Sequence, residues 1–310
     1  MKILVLGGSG FVGTNVCQLL KNQNYDIKSA SLRDGFDFTN FSSTIECFKK
    51  YEPDIIINLA AKVGSLNFVT QQAADVIDVN MRMLLNIFKA VEETSDKLVL
   101  INPVANCGYP GTINEYSEEK FWDGKVHQSV IAYGNTRRMI EILAECYKMQ
   151  YGLKIINFFV PNMYGPFDST DPNKAHALNA LVSKIVKANF EKRREFEVWG
   201  SGIAVREWLF AKDFGKIIAQ TIENLDSFVY KETVNIAQNY GLSIRELVDI
   251  IVKEVGYDGE IVWNRSMPDG APRKVMNDIR FQKQFPNFIF TSLNEGIRET
   301  TKYYQAIYPY

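Results

Sequence analysis

The chain has 310 residues, of which 46% are hydrophobic and 13% aromatic, enough for one large domain or two unequal ones around a sizeable core. Its 35 basic and 36 acidic residues nearly cancel, which argues against a nucleic-acid or anionic-membrane surface. The four cysteines show no paired spacing and only two histidines are present, so we predict neither disulfides nor a metal site. The sequence has no long apolar run and no signal-peptide pattern, which predicts a soluble cytoplasmic protein.

The first predicted element is a strand followed by a glycine turn and a helix. Ile3-Leu4-Val5-Leu6 leads into Gly7-Gly8-Ser9-Gly10-Phe11-Val12-Gly13, the order of a dinucleotide-binding turn. Gly7 would make the tight turn, Gly10 would let a pyrophosphate approach, and Gly13 would let helix and strand pack closely. The helix N-terminus would then offer free N–H groups to the phosphates. We therefore expect Gly7, Gly10, Phe11, Val12 and Gly13 to contact a cofactor.

The second strand is predicted from Asp26 to Ser31. Sites that prefer NAD usually carry an acidic residue at the end of this strand, whereas an Arg there accommodates the 2′-phosphate of NADP. Arg33 favours NADP, and the adjacent Asp34 leaves NAD open. Asp37 and Phe38 follow, either against the adenine or in a surface turn.

Further buried strands alternate with helices. The apolar run 53–61 is typical of a strand buried on both faces, and it ends in Leu59, Ala60 and Ala61, where a backbone would pass close to a cofactor. A helix is predicted from about Phe68 to Val91, and strands at 97–101 and 153–160. This alternation predicts an α/β fold with a doubly wound parallel (Rossmann) sheet.

A helix predicted from Tyr133 to about Tyr151 carries a possible catalytic pair. Tyr133 and Arg137 lie one helical turn apart, so the cation would lower the pKa of the phenol. A Tyr tuned in this way exchanges a proton with a substrate oxygen near neutral pH. The alternative interpretation is a half-buried aromatic residue beside a solvated charge.

The pattern of the sequence changes after residue 160. A polar loop at 168–174 precedes a helix at about 175–189 and a charged segment at 191–197. We predict a dinucleotide-binding domain at 1–160 and a smaller α/β substrate domain at 161–310, with a strand near 233–237 that returns to the first sheet. A later helix at 244–255 has an N-cap in Ser243 and a stop in Gly256.

Taken together, these motifs resemble the extended short-chain dehydrogenase/reductase family, and most closely its GDP-L-fucose synthase branch. The resemblance covers nearly the whole chain. It rests on the segments Gly7 to Gly13, Ala60-Ala61-Lys62-Val63-Gly64, Asn106-Cys107-Gly108-Tyr109-Pro110, Pro161-Asn162-Met163-Tyr164-Gly165-Pro166, Trp199-Gly200-Ser201-Gly202 with Arg206-Glu207, and Pro268-Asp269-Gly270-Ala271-Pro272-Arg273-Lys274.

The resemblance implies NADPH-dependent 3,5-epimerisation and C4 reduction of a GDP-linked 4-keto sugar. Tyr133 would act as acid/base at the C4 oxygen, with Arg137 beside it at the nicotinamide, while Cys107 removes and His176 returns protons at C3 and C5. The nucleotide sugar would be held by Asn162, Trp199, Arg206, Asp269 and Lys274. The resemblance also implies a homodimer through the helices near 68–91 and 130–150.

Two positions depart from the family pattern. Ala105 stands where the family has a Ser or Thr hydroxyl that bonds the reacting oxygen, and Arg137 replaces the family's Lys. Loss of such a donor costs on the order of 10²–10³ in rate. Asn106 is a candidate replacement donor through its side-chain amide. His127 is interpreted as a solvated loop residue.

Several functions remain open at this stage. The leading hypothesis is the epimerase and/or reductase on a GDP-linked 4-keto sugar, with epimerisation alone if the two departures weaken reduction. A second is a catalytically degenerate protein that only binds a nucleotide sugar or dinucleotide. A third is a redox-neutral epimerase or sugar dehydrogenase with tightly bound NAD(P).

Overall fold

The computed structural model describes residues 1–113, 115–229, 231–267 and 269–310, so Pro268 of the last family motif lies outside the described residues. The strands are β1 Lys2–Leu6, β2 Asp26–Ala30, β3 Ile55–Asn58, β4 Val99–Ala105, β5 Lys154–Val160, β6 Asn162–Tyr164, β7 Glu195–Trp199, β8 Val205–Arg206, β9 Trp208–Phe210, β10 Val234–Asn235, β11 Leu242–Ser243, β12 Glu260–Asn264 and β13 Arg273–Lys274. The helices are α1 Phe11–Asn22, α2 Phe41–Tyr51, α3 Leu66–Gln71, α4 Ala73–Thr94, α5 Ile131–Tyr151, α6 Ala177–Phe190, α7 Ala211–Glu223, α8 Ile244–Val255, α9 Ile279–Gln284 and α10 Leu293–Ile307.

The main sheet has six strands in the order β10-β5-β4-β3-β1-β2, and every pairing in it is parallel. The chain runs outward from β1 to β2 and then returns to the other side of β1 for β3. This reversal leaves a crevice above the carboxyl ends of the strands, which is where ligands bind in such folds. The predicted doubly wound parallel sheet is confirmed.

Both faces of the sheet are buried, because alternate strand residues point to opposite sides. Ile57 and Ile101 belong to one core cluster with Ile217 of α7, while Leu100 belongs to another with Phe88 of α4. This double burial explains the continuous apolar runs in the sequence.

The later part of the chain adds a third core cluster, formed by residues of α6, α8 and α10 against β7 and β9. In a small three-stranded sheet, β8 pairs in parallel with β13, and Arg206 is the register partner of Lys274. The strand β10 pairs with β5 at the edge of the main sheet. The division into two domains at residue 160 stays a prediction.

Some predicted elements differ in their bounds. The helix predicted at 68–91 is two helices, α3 and α4, since a 3- to 4-residue apolar period does not reveal one non-helical residue such as Gln72. Tyr133 does not open its helix, because α5 already begins at Ile131. Part of the charged segment at 191–197 forms the first residues of β7. In the described part of the chain, no helix combines the length and apolarity that a membrane crossing needs.

Candidate active site

One cavity of about 530 Å³ opens at the carboxyl ends of the main strands, a size usual for small-molecule sites. It brings together most of the residues that the sequence singled out. Those that line it are Gly7, Gly10, Phe11, Val12, Gly13, Leu59, Ala61, Asn106, Cys107, Tyr133, Arg137, Asn162, His176, Arg206, Asp269 and Lys274. Their individual roles stay predictions.

The glycine turn has the geometry of a phosphate cradle. Gly7 has φ +74°, and a Cβ on it would lie 2.8 Å from the Leu59 carbonyl oxygen. A Cβ on Gly13 would lie 2.3 Å from the Gly7 carbonyl oxygen, so only glycine lets α1 pack this closely. The first turn of α1, from Phe11, presents N–H groups without intrahelical partners, which suits a pyrophosphate.

A pair of cations lies in the later part of the chain. Arg206 and Lys274 are adjacent because β8 and β13 pair in register. Burial lowers the pKa of both side chains, since their charge is poorly solvated. A bound diphosphate would compensate this penalty with charge-assisted hydrogen bonds. The cation pair therefore fits the diphosphate of a sugar nucleotide.

Asp269 stabilises a loop beside these cations through hydrogen bonds. Its carboxylate accepts hydrogen bonds from the Ser201 N–H at 2.7 Å and from the Ser201 hydroxyl at 2.7 Å. The Asp269 carbonyl oxygen also accepts one from the Arg206 guanidinium at 3.1 Å. Both carboxylate oxygens are thus engaged within the protein. Asp269 positions the cavity rim as well as lining it.

Tyr133 is half-buried against Arg137, whose guanidinium carbon lies 4.8 Å from the centre of the phenol ring. Arg137 is 5% exposed and donates to the Asn80 side-chain oxygen at 3.3 Å. Burial raises the pKa of Tyr133, and the opposing charge of Arg137 does not cancel this effect. The expectation of a lowered phenol pKa is wrong. Tyr133 keeps its proton at neutral pH and is a donor.

Cys107 lies next to this helix, in the turn 106–108 that follows β4. Gly134 allows the close approach, since a Cβ there would lie 2.6 Å from the Cys107 carbonyl oxygen. Burial raises the pKa of the Cys107 thiol, while the charges of Lys274 and Arg137 pull it down without reversing the shift. The raised pKa therefore favours the protonated thiol.

Asn106 is a buried amide with an open hydrogen-bond donor. The residue is 3% exposed, and its Nδ2 has no partner among the described residues. Ala105, which lacks the family hydroxyl, lines the same cavity. Buried donors are almost always satisfied, so an unpaired amide in a cavity wall is a candidate contact for a ligand atom or an ordered water. The structure is compatible with Asn106 as the replacement donor, which stays a prediction.

His176 is held by a carboxylate that the sequence analysis missed. Its Nδ1 lies 3.1 Å from Oδ2 of Asp168, which also accepts from the His176 N–H and from Asn179, each at 2.8 Å. Burial alone would raise the pKa of Asp168, but the hydrogen bonds from His176 and Asn179 hold it below its usual value. A proton on Nδ1 would donate to an ionised Asp168, and Nε2 of the neutral ring would then be the acceptor. An acidic residue eight positions before His176 in a polar loop was the available signal.

Three predicted contact residues lie elsewhere. Phe38 is 4% exposed within the core cluster under α4, so no face of its ring remains for an adenine. Ala60 packs against the same cluster and does not line the cavity. Trp199 is 60% exposed, and its indole N–H donates to Glu197. These placements put the Phe38 ring in the core, and the predicted ligand contacts of Ala60 and Trp199 stay predictions.

The end of β2 is built around Asp34. Its carboxylate accepts from Ser31 at 2.6 Å, and the Ser31 hydroxyl accepts from Ser9 of the glycine turn at 2.9 Å. Arg33 is exposed on the same turn, where a 2′-phosphate would reach it. Asp37 is exposed outside the cavity lining, and its carboxylate accepts from the Thr39 N–H at 2.9 Å. The preference for NADP stays a prediction.

Some cavity residues were not foreseen. His127 was interpreted as solvated, but it is half-buried, lines the cavity and holds the Ser129 hydroxyl 2.8 Å from its Nδ1. Its position six residues before Tyr133 was the only sequence signal. Asn58 and Trp208 also line the cavity, and nothing local in the sequence marks them as ligand contacts.

The chain is similar to known proteins over nearly its whole length. A family model described as the NAD-dependent epimerase/dehydratase family matches residues 3–237. A probable GDP-L-fucose synthase 1 of Oryza sativa subsp. japonica is 28% identical over 306 residues, which is 98% of this chain and 92% of the relative. A GDP-L-colitose synthase of Yersinia pseudotuberculosis is 28% identical, covering 98% of both chains. The crystal structure of a GDP-L-fucose synthetase from Naegleria fowleri bound to NADP has a TM-score of 0.86 and 25% identity, covering 99% of this chain and 94% of that one.

Proposed function

The chain belongs to the NAD-dependent epimerase/dehydratase family, and we propose that it is an NADP-dependent enzyme that epimerises a GDP-linked 4-keto sugar at C3 and C5 and reduces it at C4. One observation carries the proposal. A single cavity has a phosphate-binding glycine turn and a cation pair in its lining, together with Tyr133, Cys107 and His176. The similar plant and bacterial chains are named as GDP-sugar synthases, which supports the same substrate class.

The residues present fit the dinucleotide. The first turn of α1 would hold its pyrophosphate, Tyr133 and Arg137 would flank its nicotinamide, and Arg33 would meet its 2′-phosphate. Bound NADPH would supply the hydride that reduces C4. NAD is the alternative that Asp34 leaves open.

Epimerisation requires a base and an acid next to the carbons that flank a ketone. The free Nε2 of His176 would accept the proton, and the protonated thiol of Cys107 would donate one. This assignment is the opposite of the one that the family resemblance suggested, and the raised pKa of the Cys107 thiol supports it. The Tyr133 hydroxyl and the Asn106 amide would stabilise the negative charge that develops on the C4 oxygen.

Reduction requires a proton for the C4 oxygen. Tyr133 would donate its phenolic proton there, and the guanidinium of Arg137 would stabilise the phenolate that remains. Asn106 would supply the hydrogen bond that Ala105 lacks. Arg137, the second departure, would keep the positive charge of the family's Lys.

The test incubates the full chain with NADPH and GDP-4-keto-6-deoxymannose. Absorbance at the nicotinamide band follows reduction, and deuterium incorporation at C3 and C5, measured by mass spectrometry in D₂O, follows epimerisation. We expect both. Deuterium incorporation without NADPH oxidation would remove the reductase claim, and the absence of both would overturn the proposal for this substrate.

We also infer a cytoplasmic homodimer that buries the outer faces of α4 and α5. These two helices pack against each other, and Leu85 and Ile77 on α4 and Ile142 and Met149 on α5 are exposed. All four cysteines are free, which suits a reducing compartment. Light scattering after gel filtration should give twice the chain mass, and Leu85→Glu should give the monomer.

A further inference from the structure

Three asparagines form a hydrogen-bonded row across the middle of the main sheet. Asn58 ends β3, Asn102 lies in β4 and Asn157 in β5, and they are 5%, 0% and 6% exposed. The Asn58 Nδ2 donates to the Asn102 Oδ1 at 3.1 Å, and the Asn102 Nδ2 donates to the Asn157 Oδ1 at 3.0 Å. Strand alternation places all three on the face that packs against α4 and α5. Buried amides in an apolar sheet are unfavourable unless they are paired, so we expect the row to have a role beyond packing.

Glu141 of α5 fixes the direction of the row. Its Oε1 accepts from the Asn157 Nδ2 at 2.8 Å, and its Oε2 accepts from the Thr233 hydroxyl at 2.7 Å. A carboxylate only accepts, whereas an amide has one donor end and one acceptor end. Burial raises the pKa of Glu141, whereas the hydrogen bonds from Thr233 and Asn157 favour its ionised form. With that form, Asn157 turns its Nδ2 toward Glu141, and each amide along the row takes the same orientation. The acceptor left over at the far end is the Asn58 Oδ1.

This last acceptor belongs to a cavity residue. Asn58 lines the cavity at the carboxyl end of β3, directly before Leu59, against which Gly7 of the glycine turn packs. Its Oδ1 is buried and has no partner in the part of the chain that the structure describes. Dinucleotides lie across the carboxyl ends of such strands and offer ribose hydroxyls as donors.

We propose that the Asn58 Oδ1 accepts a hydrogen bond from a ribose hydroxyl of the bound dinucleotide, and that Glu141 acts as a positioning residue that orients this acceptor through Asn157 and Asn102. The inference rests on the proposed function, because it requires a dinucleotide in the cavity. Glu141 lies two turns beyond Tyr133 on the same face of α5, with Arg137 between them. The helix that carries the predicted acid thus also anchors the row.

The test measures NADPH affinity by calorimetry for the full chain and its variants. Asn58→Leu, which removes the acceptor, should weaken binding by about 3- to 10-fold. Glu141→Gln should weaken it by about 2- to 5-fold, because a glutamine also donates and no longer fixes the row. The double variant should bind no more weakly than Asn58→Leu alone, since both act through one atom. Thr233→Val is the matched control, because it removes the other bond to Glu141 and leaves the row intact, so its affinity should be unchanged.

Thermal unfolding and circular dichroism establish which variants fold. Unchanged affinity in folded Asn58→Leu, or additive losses in the double variant, would overturn the proposal. If Asn58→Leu does not fold, nuclear magnetic resonance on the ¹⁵N-labelled wild type decides: the Asn58 side-chain amide should shift when NADP⁺ is added, and an unmoved resonance overturns the proposal. A wild type without NADPH affinity would overturn both this inference and the proposed cofactor, whereas equal affinity in wild type and variants overturns this inference alone.

Discussion

The two walls of the cavity place their reactive side chains in environments that favour different protonation states. On the α5 wall, Tyr133 is half-buried against a cation, and burial raises its pKa, so it retains its proton. On the wall formed by residues 165–176, the Nδ1 of His176 lies against the Asp168 carboxylate, whose pKa is held below its usual value, so the other ring nitrogen would be the one to accept a proton. Environments that separate the proton affinities of two groups are what assign acid and base roles at a site.

The group next to each reactive side chain would therefore determine whether that side chain donates or accepts a proton. Asp168 lies behind His176 on one wall. On the other side of the cavity, Ala105 at the end of β4 lacks the family's hydroxyl and Arg137 of α5 replaces the family's Lys, so we expect reduction to depend on replacements such as Asn106. We expect epimerisation to depend more on His176 and Asp168. The two activities should be separable by mutation.

The largest effect is expected for Tyr133→Phe. NADPH oxidation should fall by about 10²- to 10⁴-fold, because the proton donor to the C4 oxygen is lost. Deuterium incorporation at C3 and C5 should fall less, since His176 and Cys107 remain. The matched variant His176→Asn should show the opposite pattern. If Tyr133→Phe retained every activity and every ligand affinity, the catalytically degenerate binding protein would be the better description.

A smaller effect is expected for Asp168→Asn. An Asn fixes neither the charge nor the tautomer of His176, so deuterium incorporation should fall by about 10- to 100-fold. NADPH affinity should be unaffected, and the acid limb of the pH–rate profile for incorporation should shift. Equal losses in incorporation and in NADPH affinity would instead indicate a general loss of structure.

The same residue gives a prediction for stability. Because the folded-state pKa of Asp168 is lowered, its contribution is fully present above its unfolded pKa of about 4 and is lost as pH falls through the folded value. Asp168→Asn should reduce the free energy of unfolding by about 2 kcal/mol at pH 7. The gap to wild type in thermal unfolding should narrow on acidification from pH 7 to 3. A gap that is constant with pH would contradict an ionised Asp168.

The smallest effect is expected for Ala105→Ser. If Asn106 already supplies the missing hydrogen bond, restoring the family hydroxyl should change NADPH oxidation by less than about 5-fold, far below the usual value of such a donor. In an Asn106→Leu background, the same substitution should raise the rate by a larger factor. Equal effects in the two backgrounds would show that Asn106 does not replace the hydroxyl.

Local motifs let the sequence predict a good part of this molecule. The glycine turn, the doubly wound sheet and the capping of α8 by Ser243 and Gly256 each depend on residues close together in the chain. Tyr133 and Arg137 were recognisable as a pair because one helical turn joins them. The predicted effect of Arg137 on the pKa of the phenol was wrong, because burial by the surrounding residues raises that pKa.

The remaining features depend on tertiary proximity. Phe38 was not recognised as a core residue, because the direction of a side chain in a turn depends on what packs there. The row of asparagines crosses three strands that are separated in sequence, although each Asn interrupts an apolar run. A polar residue at the same position of adjacent buried strands was a signal that single-strand patterns do not use.

The register pairing of Arg206 with Lys274 has a consequence for biosynthesis. The ribosome makes the glycine turn and Tyr133 well before Lys274, and the family model that matches the chain ends at residue 237. N-terminal regions generally fold first during synthesis. A nascent chain would thus contain the glycine turn before it contains both cations. The predicted diphosphate site would form only when β13, the last strand, pairs with β8.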